Sequence, residues 1–582
     1  MKFKPYFSEF RKYFIKLFPL IIILILVGNI VYYTTSLINR KTLEQGLINT
    51  EAYFLAANFL LMIFFFVKSF SNIKVLFKKI KTKTWLILLL IFIIGFSLRM
   101  FATPHTNRVY FDEDIYLDIA KEIVVRQDAG LCNYGDQNGC YDSTFMKWPN
   151  GHPFLLAISY LFFGSSQEIG FEMAAFLGSL CIIIVFLVGY LFSEKEKVGI
   201  YSALIFSLLP VHIMWSGTAA SEPTFVFFIL LTLLAFLMAF KSKMKSWNLY
   251  FFGIMCLTYA IQIRSEGGIL LPIFGIFILL FDDKLKTRLL DRKFLLAWSL
   301  MLILITPYII HTIHAGQTDT WGSSGKKFSL EFVKRNLPEN LHFWLKGYKT
   351  LENPFLFTIF ALIGLGYLLI KNRKVGIFLS FGFLIFFTLY VFFYAGSVKF
   401  GADVRYSLTG YPWYVVFAGY GLYFIHCLLE KSLKNEWLIL GLLFALIFVI
   451  FYLNSTYVFE EIGEIQEAKH ARAYHNFAVE TVKTLPKDCY ILSHTPSMFL
   501  IMDYPSLQLW NGQNEKIMNE IFNKTNCIVF DDNYWCNIEP YKSSVCKHMF
   551  DSFRLDEIDH IDFDNRTYTM YYVYRNETYS NP

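Results

Sequence analysis

Long apolar stretches recur along the 582 residues of this chain, and they constrain its fold more than any other feature. A helix needs about 20 consecutive apolar residues to cross a bilayer, and it satisfies its own backbone hydrogen bonds there. We predict about thirteen spans, at roughly 17–38, 52–70, 84–101, 170–192, 199–217, 222–240, 248–264, 267–282, 294–314, 354–370, 375–395, 411–429 and 437–454. The connections at Ser221 and Ser265 are very short, so that two spans meet there with almost no loop.

Composition agrees with a membrane protein. Hydrophobic residues make up 55% of the chain and charged residues only 17%, which is too little charge to cover a soluble protein of this size. The net charge of +7 comes mostly from short loops, so it is a topology signal and does not suggest a nucleic-acid partner. The first apolar run lacks a small-residue cleavage site, so we expect a span there rather than a cleaved signal peptide.

The basic loops predict an orientation. The segments "MKFKPYFSEFRKYFIK", "NIKVLFKKIKTKT", "KSKMKSW", "DDKLKTRLLDRK" and "KNRK" all fall on one side of thirteen spans. Positive loops are retained in the cytoplasm, so the N-terminus is expected to be cytoplasmic. Three segments are then external: a first outer loop at 102–169, a loop at 315–353 and the tail at 455–582.

The tail differs from the rest of the chain. "EEIGEIQEAKHARAYHNFAVETVKTLP" predicts an amphipathic helix, and "CYILS", "CIVFDD" and "YTMYYVYRN" predict strands. Four N-x-S/T sequons begin here, at Asn454, Asn523, Asn565 and Asn576. We therefore expect an α-helical polytopic membrane protein with about 13 transmembrane helices in residues 1–454, which include the first outer loop, and a C-terminal extracytoplasmic α/β domain in residues 455–582.

The cysteines support an external tail. The loop segment "CNYGDQNGC" places Cys132 and Cys140 where they can close a short disulfide loop. Four more cysteines lie in the tail, at 489, 527, 536 and 546. Disulfides are favoured for them over free thiols, and zinc is disfavoured because no C-x-x-C pair occurs.

Three consecutive acids, Asp112, Glu113 and Asp114, follow the third span. Ile115, Ile119 and Ile123 then recur every four residues, which predicts a helix along the membrane surface. Acids in a first turn favour the positive end of the helix dipole, so a simple capping role fits the local sequence as well as a catalytic one.

Other ionisable or polar residues lie at the predicted outer ends of several spans. They are Glu222, Arg264, Glu266, Asp403, Arg405, Tyr406 and, near the end of the first outer loop, His152. Charges at membrane depth are costly and are usually retained for function, although each arginine could also be an ordinary interfacial residue. We expect the acids and arginines to converge on one outward-facing cavity, where acids activate a hydroxyl and arginines hold a phosphate.

Five segments resemble one family in the order in which they occur. "FDEDIYLDIAKEI" resembles the D-E-x-x-Y-x-x-x-A motif of polytopic C-type glycosyltransferases, which include the protein O-mannosyltransferases and the lipid A aminoarabinose transferases. "NGHPFLLAISYLFFG", "SEPTFVFFILLTLLAF", "IRSEGGILLP" and "DVRYSLTGYPWYVVFAGYG" resemble later segments of the same family. The resemblance covers about residues 84–430 and implies the C-type glycosyltransferase fold for the membrane domain.

The resemblance implies a glycosyltransferase that uses a polyprenyl-phosphate sugar. Asp112 would be the general base on an acceptor hydroxyl, with inversion at the sugar, and Glu113 would support it. The donor phosphate would be held by Arg264, Arg405 and His152. Substrate contacts would come from Tyr116, Glu222, Glu266, Asp403 and Tyr406. The acceptor would be a glycan, a protein or a lipid.

The sequence departs from the family in two places. The aminoarabinose transferases carry an arginine two residues after the D-E pair, where this chain has Ile115, and their lysine before a double proline has no counterpart near His152. The W-W-D-Y-G motif of oligosaccharyltransferases is absent, which argues against en-bloc transfer to asparagine. Neither catalytic role requires a metal cofactor, and a divalent cation, Mg²⁺ or Mn²⁺, is kept as an open alternative.

Two other classes of protein were weighed. A lipid or solute transporter would show internal repeats and broken helices near the midplane, and no half-to-half repeat occurs here. A scaffold that displays the tail would not need acids and arginines at successive outer turns. The enzyme is therefore the favoured interpretation.

Overall fold

The computed structural model describes residues 4–107, 110–136, 139–241, 246–282, 288–289, 291–318, 326–346, 353–398, 401–459, 466–537 and 544–576. The α-helices are α1 Lys4–Leu37, α2 Arg40–Lys79, α3 Thr82–Ser97, α4 Tyr110–Arg126, α5 Gly151–Phe163, α6 Gln167–Ser193, α7 Glu196–Ser207, α8 Pro210–Ser216, α9 Ser221–Lys241, α10 Trp247–Ile261, α11 Leu270–Phe281, α12 Arg292–Thr318, α13 Val333–Lys346, α14 Phe355–Lys371, α15 Arg373–Phe392, α16 Tyr411–Leu433, α17 Glu436–Phe459, α18 Gln466–Lys483, α19 Pro496–Leu500, α20 Glu515–Lys524 and α21 Val545–Ser552. The strands are β1 Leu131–Asp136, β2 Gly139–Thr144, β3 Tyr490–Ser493, β4 Ser506–Gln508, β5 Ile528–Asp532, β6 Phe553–Phe563 and β7 Arg566–Arg575.

The chain divides into two compact units. The first contains residues 1–105, 147–152 and 171–463, and the second contains residues 106–146, 153–170 and 464–582. Within the described residues, nine helices are long and apolar enough to cross a membrane. A tenth candidate is the pair α7 and α8, which are bent by 60° at a short break. The chain is a multi-pass membrane protein.

The expected helical polytopic fold is confirmed, but the number of full-length spans is lower than thirteen. Every predicted span corresponds to a helix or to the bent pair, but α10, the segment Ser265–Phe281 and α14 are short apolar helices. Their length falls below the roughly 20 residues that a bilayer crossing requires. Hydropathy locates such apolar helices, but it does not show at which residue a turn ends each helix.

Glycines let the helices of the first unit approach closely. A side-chain carbon at Gly364 of α14 would collide with the carbonyl of Phe417 in α16. The same addition at Gly421 of α16 would collide with the carbonyl of Phe360 in α14. Small residues at helix contacts are typical of membrane proteins, in which association depends on close packing rather than on the hydrophobic effect. This contact holds α14 and α16 together.

A seven-stranded sheet forms the centre of the second unit, in the order β2-β1-β4-β3-β5-β7-β6. Strand β3 runs parallel to β4 and β5, and the other pairs are antiparallel. The sheet separates two apolar clusters, one containing Tyr474 and Phe499 and the other Leu507 and Phe530. The predicted strands of the tail are present.

The hairpin β1–β2 comes from the first outer loop and completes this sheet. Tyr134 pairs with Leu507 and Gly135 with Ser506, so β1 covers the side of β4 that would otherwise be an open edge. The predicted boundary at residue 454 therefore does not separate the outer loop from the tail, because backbone pairing unites them in one sheet. Local sequence cannot reveal such a long-range pairing.

Three disulfides stabilise the second unit. Cys132–Cys140 closes the hairpin as expected, and the tail forms Cys489–Cys527 and Cys536–Cys546. His494 lies close to the last pair, with its Nε2 atom 3.4 Å from the Cys546 Sγ atom. The two sulfurs bond each other, so they do not form a thiolate metal site together with His494.

Candidate active site

A buried carboxylate in the first unit bridges two arginines. Glu222, in the first turn of α9, forms an ion pair with Nη1 of Arg264 and another, at 3.3 Å, with Nε of Arg405. The Glu222 side chain is 2% exposed, and the side chains of Arg264 and Arg405 are 10% and 13% exposed. Buried charges persist only when they are paired, so these three residues depend on one another.

A second carboxylate extends the group. Glu266 lies 2.5 Å from Nε of Arg264 and accepts a hydrogen bond of 3.1 Å from the Tyr390 hydroxyl. We name Glu222, Arg264, Glu266 and Arg405 the arginine cluster. Its two positive and two negative charges balance, which makes burial at this depth tolerable.

Aromatic rings lie beside the arginine cluster. The Tyr406 ring centroid lies 5.9 Å from the Arg264 guanidinium carbon and 5.2 Å from that of Arg405. Tyr406 also stacks on Tyr390, with 4.8 Å between ring centroids. Ring faces attract cations, so Tyr406 helps to hold both guanidinium groups in place.

Short turns position the cluster. Arg264 is the N-cap residue of the 3-10 segment Ser265–Ile269, and its Nη1 atom donates to Oγ of Ser221 at 3.0 Å. The Tyr308 hydroxyl donates to the carbonyls of Arg264 and Ser265, at 3.3 and 3.2 Å. Arg405 lies in the 3-10 segment Gly401–Gly410, directly before α16. Three connections that are distant in sequence thus meet at one place.

His152 is fully buried in the first unit. Its Nδ1 atom is 3.1 Å from the Thr224 hydroxyl, and its Nε2 atom is 2.9 Å from the carbonyl of Ala219. Both ring nitrogens are thus engaged by the turn that leads into α9. This geometry favours a structural role over the predicted phosphate contact.

The neighbouring Gly151 fixes the same segment. Its N–H donates to the carbonyl of Gln262 at 2.9 Å, and its carbonyl accepts from the Tyr259 hydroxyl at 2.8 Å. A side-chain carbon at Gly151 would collide with the Gln262 carbonyl, so only glycine fits. The "NGHP" segment is therefore held against the end of α10.

The predicted catalytic acids lie on α4, in the second unit. Asp112 is half-buried, whereas Glu113 and Tyr116 are buried. Asp114 is also buried and accepts a hydrogen bond of 3.0 Å from Asn107. Of the three consecutive acids, Asp112 is the one that solvent reaches.

Further along α4 the acids serve the fold. Asp118 accepts a hydrogen bond of 2.8 Å from the Cys132 N–H, which attaches the helix to the hairpin. Burial, followed by the nearby charge of Glu113, raises the pKa of Asp114 well above its usual value. Burial, followed by the charge of Glu122, raises the pKa of Asp118 in the same direction. This side of α4 therefore favours protonated carboxyls.

The structure places the predicted site residues in two groups. Five predicted residues meet in the first unit: Glu222, Arg264, Glu266, Arg405 and Tyr406. Three lie together at the start of α4, namely Asp112, Glu113 and Tyr116. The side chain of Asp403 lies outside the described residues.

Sequence reasoning missed several polar residues of the first unit. Tyr390 and Tyr308 contact the arginine cluster, but a tyrosine inside an apolar span gives little signal. Glu51 of α2 pairs with Nδ1 of His311 at 2.6 Å and accepts from Asn150 at 2.5 Å. An ionisable residue within an apolar helix was the available signal for Glu51 and His311.

Comparisons with known proteins agree with the predicted resemblance. The family model described as dolichyl-phosphate-mannose-protein mannosyltransferase matches residues 147–311. This stretch includes Glu222, Arg264 and Glu266 and ends before Arg405. The sequence matches none of the curated proteins.

Two solved structures are similar over most of the chain. ArnT from Cupriavidus metallidurans, bound to undecaprenyl phosphate, has 12% sequence identity and a TM-score of 0.53, covering 84% of this chain and 98% of that one. The oligosaccharyltransferase of Archaeoglobus fulgidus in the apo form has 11% identity and a TM-score of 0.50, covering 78% of this chain and 69% of that one. At these identities the likeness establishes the fold. The resemblance to C-type membrane glycosyltransferases is therefore confirmed, and the family match together with this fold indicates a glycosyltransferase.

Proposed function

We propose that this protein is an inverting glycosyltransferase that moves a sugar from a polyprenyl-phosphate donor to an acceptor hydroxyl. The observation that carries the proposal is the pair of arginines, Arg264 and Arg405, held by one buried carboxylate beside Tyr406. The fold shared with an ArnT that was crystallised with undecaprenyl phosphate supports a lipid-phosphate donor of this kind.

The arginines suit the leaving group. When the bond between the sugar carbon and the phosphate oxygen breaks, the lipid phosphate changes from a monoanion to a dianion. Arg264 and Arg405 would stabilise this charge as it develops, and a guanidinium can hold two phosphate oxygens at once. Because the groups are already oriented by Glu222 and Glu266, little reorganisation is needed when the charge appears.

The two glutamates of the cluster have a more specific role in this proposal than direct substrate contact. Each forms an ion pair with Arg264, and Glu222 also holds Arg405. They would act by fixing the guanidinium groups, as positioning residues. Asp403 and Tyr406 remain proposed substrate contacts.

Asp112 would act as the general base. Its carboxylate would take the proton of the acceptor hydroxyl while that oxygen attacks the sugar carbon from the side opposite the phosphate, which inverts the configuration. Glu113 and Tyr116 would orient the acceptor. The partial exposure of Asp112 supports this role, since a base must reach the substrate.

We further propose that the reaction occurs at the extracytoplasmic face of the cell membrane. The basic loops, the three sequons of the second unit and its three disulfides all favour an external second unit. The acceptor class remains a glycan, a protein hydroxyl or a lipid headgroup. Cysteine labelling from outside tests the orientation: a probe at residue 330 should react and a probe at residue 80 should not.

The activity is tested with membranes that contain the protein and a panel of polyprenyl-phosphate sugars. Transfer of one sugar, with inverted configuration in the product, is the expected result. Release of free sugar or lipid movement without transfer would contradict the proposal. Because the arginines meet the phosphate charge, chelation of divalent cations should leave the activity unchanged, whereas loss that Mg²⁺ or Mn²⁺ restores would show a metal requirement.

A further inference from the structure

A polar cavity of about 430 Å³ lies in the first unit, away from the arginine cluster. Helix α9 runs from the arginine cluster to the cavity. It starts at Ser221, which bonds Arg264, and ends at Lys241, which pairs at 2.5 Å with Glu194 on the cavity wall. Since 21 residues of helix rise about 30 Å, the cavity and the arginine cluster lie near opposite faces of a membrane.

Several lysines of the cavity wall take part in no ion pair among the described residues, although the charge of Lys195 acts on Glu194. Four lysines line it, at positions 81, 83, 195 and 197. Lys197 forms ion pairs, whereas the ammonium groups of Lys81, Lys83 and Lys195 form none within the part of the chain that the structure describes. Lys83 instead lies 3.5 Å from the ring centroid of Trp437. The wall therefore offers positive charge to a ligand.

Two carboxylates of the wall are already occupied. Glu194 pairs with Lys241, and Glu196 accepts the N–H of Lys81 at 3.1 Å and the hydroxyl of Thr84 at 2.5 Å. These contacts join the loop before α3 to the start of α7. Both acids therefore serve the fold of the cavity wall.

The other two carboxylates both lie within ion-pair distance of Lys197, and the charge of Lys83 also acts on Glu436. Lys197 lies 3.4 Å from Glu436 and 3.7 Å from Glu430, and its Nζ atom is also 2.8 Å from Nε2 of His426. The Tyr201 hydroxyl fixes the other ring nitrogen of His426 at 2.6 Å. One immobilised ammonium thus lies within ion-pair distance of two acids, and Glu430 keeps negative charge available to a second cation.

The remaining wall has the character of a membrane interface. Trp437 and the tyrosines 190 and 423 line the cavity, and such rings concentrate at the level of lipid headgroups. Ile87, Ile200 and Leu440 form an apolar side between α3, α7 and α17. The volume lies within the range of about 300–1,000 Å³ that is usual for small-molecule sites.

We propose that this cavity binds the headgroup of a membrane phospholipid that carries both a phosphate and a primary ammonium. Lys81 and Lys195 take the phosphate, and Glu430 and Glu436 take the ammonium. The apolar side accommodates the start of the acyl chains. A ligand with both charges matches a wall that presents both, and the predicted topology places this site at the cytoplasmic face.

The test uses the full-length protein in detergent and native mass spectrometry with added phosphatidylethanolamine, phosphatidylglycerol or phosphatidylcholine. Wild type should retain phosphatidylethanolamine in preference to the other two lipids. The variant Lys81→Gln/Lys195→Gln should retain phosphatidylethanolamine and phosphatidylglycerol about tenfold less, because a charge-assisted contact is lost. The variant Glu430→Gln/Glu436→Gln should lose the preference for phosphatidylethanolamine.

A matched control removes two positive charges elsewhere. Lys371 and Arg373 are exposed, lie in another predicted cytoplasmic loop and do not line the cavity. Lys371→Gln/Arg373→Gln should bind lipid as wild type does. If Lys371→Gln/Arg373→Gln loses as much lipid as Lys81→Gln/Lys195→Gln does, the effect comes from general surface charge, and the proposal is overturned.

Three further results would also overturn it: undiminished lipid retention by Lys81→Gln/Lys195→Gln, no preference among the three lipids in wild type, or displacement of the lipid by equimolar inorganic phosphate. The last result would assign the lysines to a free phosphate. The single variant Lys195→Gln separates lost binding from misfolding. No hydrogen bond or ion pair of the Lys195 ammonium is among the described contacts, so the substitution should leave the fold intact. It should elute as wild type does in gel filtration and still retain less lipid.

Discussion

The arginine cluster and the start of α4 are both rich in carboxylates, but their carboxylates have opposite surroundings. In the cluster, Glu222 and Glu266 each face at least one guanidinium, so charge is balanced and geometry is fixed. On α4, Asp114 lies near another acid and is buried without an arginine partner among its described contacts. The first arrangement favours holding a charged group in place, and the second favours exchanging a proton.

The largest expected effect concerns proton transfer on α4. Asp112→Asn should reduce sugar transfer by roughly 10²–10⁴-fold, because general-base assistance is lost. Transfer rates in membranes with saturating donor measure it. Asp142→Asn, an exposed acid of the β2 strand in the same unit, is the matched control and should transfer at the wild-type rate. If Asp112→Asn transfers sugar at the wild-type rate, Asp112 is not the general base and only caps the helix.

Breaking the cluster should mainly affect stability. Glu222→Gln leaves Arg264 and Arg405 buried with less negative charge, and removal of one partner from a buried ion pair costs about 3–5 kcal/mol. The free energy of unfolding in detergent measures this loss. Glu520→Gln, which removes an exposed acid paired with Lys524, should leave stability near wild type. Equal stability of both variants would show that the cluster is not the rigid element described here.

The contrast also predicts a pH dependence for α4. The pKa of Asp114 is raised in the folded protein, so the folded state binds its proton more tightly than the unfolded state does. The stability from this group is fully present below the unfolded pKa, near 3.8, and is lost as pH rises through the folded pKa. One such proton gives a slope of at most about 1.4 kcal/mol per pH unit.

Asp114→Asn should remove this component, since an amide can still accept the hydrogen bond from Asn107. Unfolding of both proteins at a series of pH values from 4 to 8 measures the difference in slope. Identical pH profiles for Asp114→Asn and wild type would show that the carboxyl titrates normally. Asp142→Asn should keep the wild-type profile.

The smallest expected effect comes from a variant that keeps the charge of Arg405 but changes the geometry of its hydrogen-bond donors. Arg405→Lys keeps the charge but loses the planar fork, and one charge-assisted hydrogen bond contributes about 1.5 kcal/mol. The apparent donor affinity should therefore fall about tenfold. Arg373→Lys, at the exposed start of α15, should bind donor as wild type does. An Arg405→Lys variant with unchanged donor dependence would place the phosphate elsewhere.

Much of the architecture could be predicted from local pattern. Apolar runs located the helices, and the outer turns beside Ser221, Ser265 and Arg405 were identified as the places where charge gathers. The cysteines of "CNYGDQNGC" predicted their own disulfide because they are only eight positions apart in the chain. The short helices α10 and α14 were found but assigned as full spans, since hydropathy records composition and not length after folding.

The sequence by itself determined that this chain crosses a membrane many times and carries acids and arginines at the ends of its spans. Apolar periodicity and charge placement are local properties that any fold must respect. Only the tertiary structure decided that Glu222 joins Arg264 to Arg405, that His152 faces Thr224 and Ala219, and that β1 pairs with β4. Those contacts depend on ångström-scale packing between segments far apart in the chain, and no local pattern of residues encodes the distance between them.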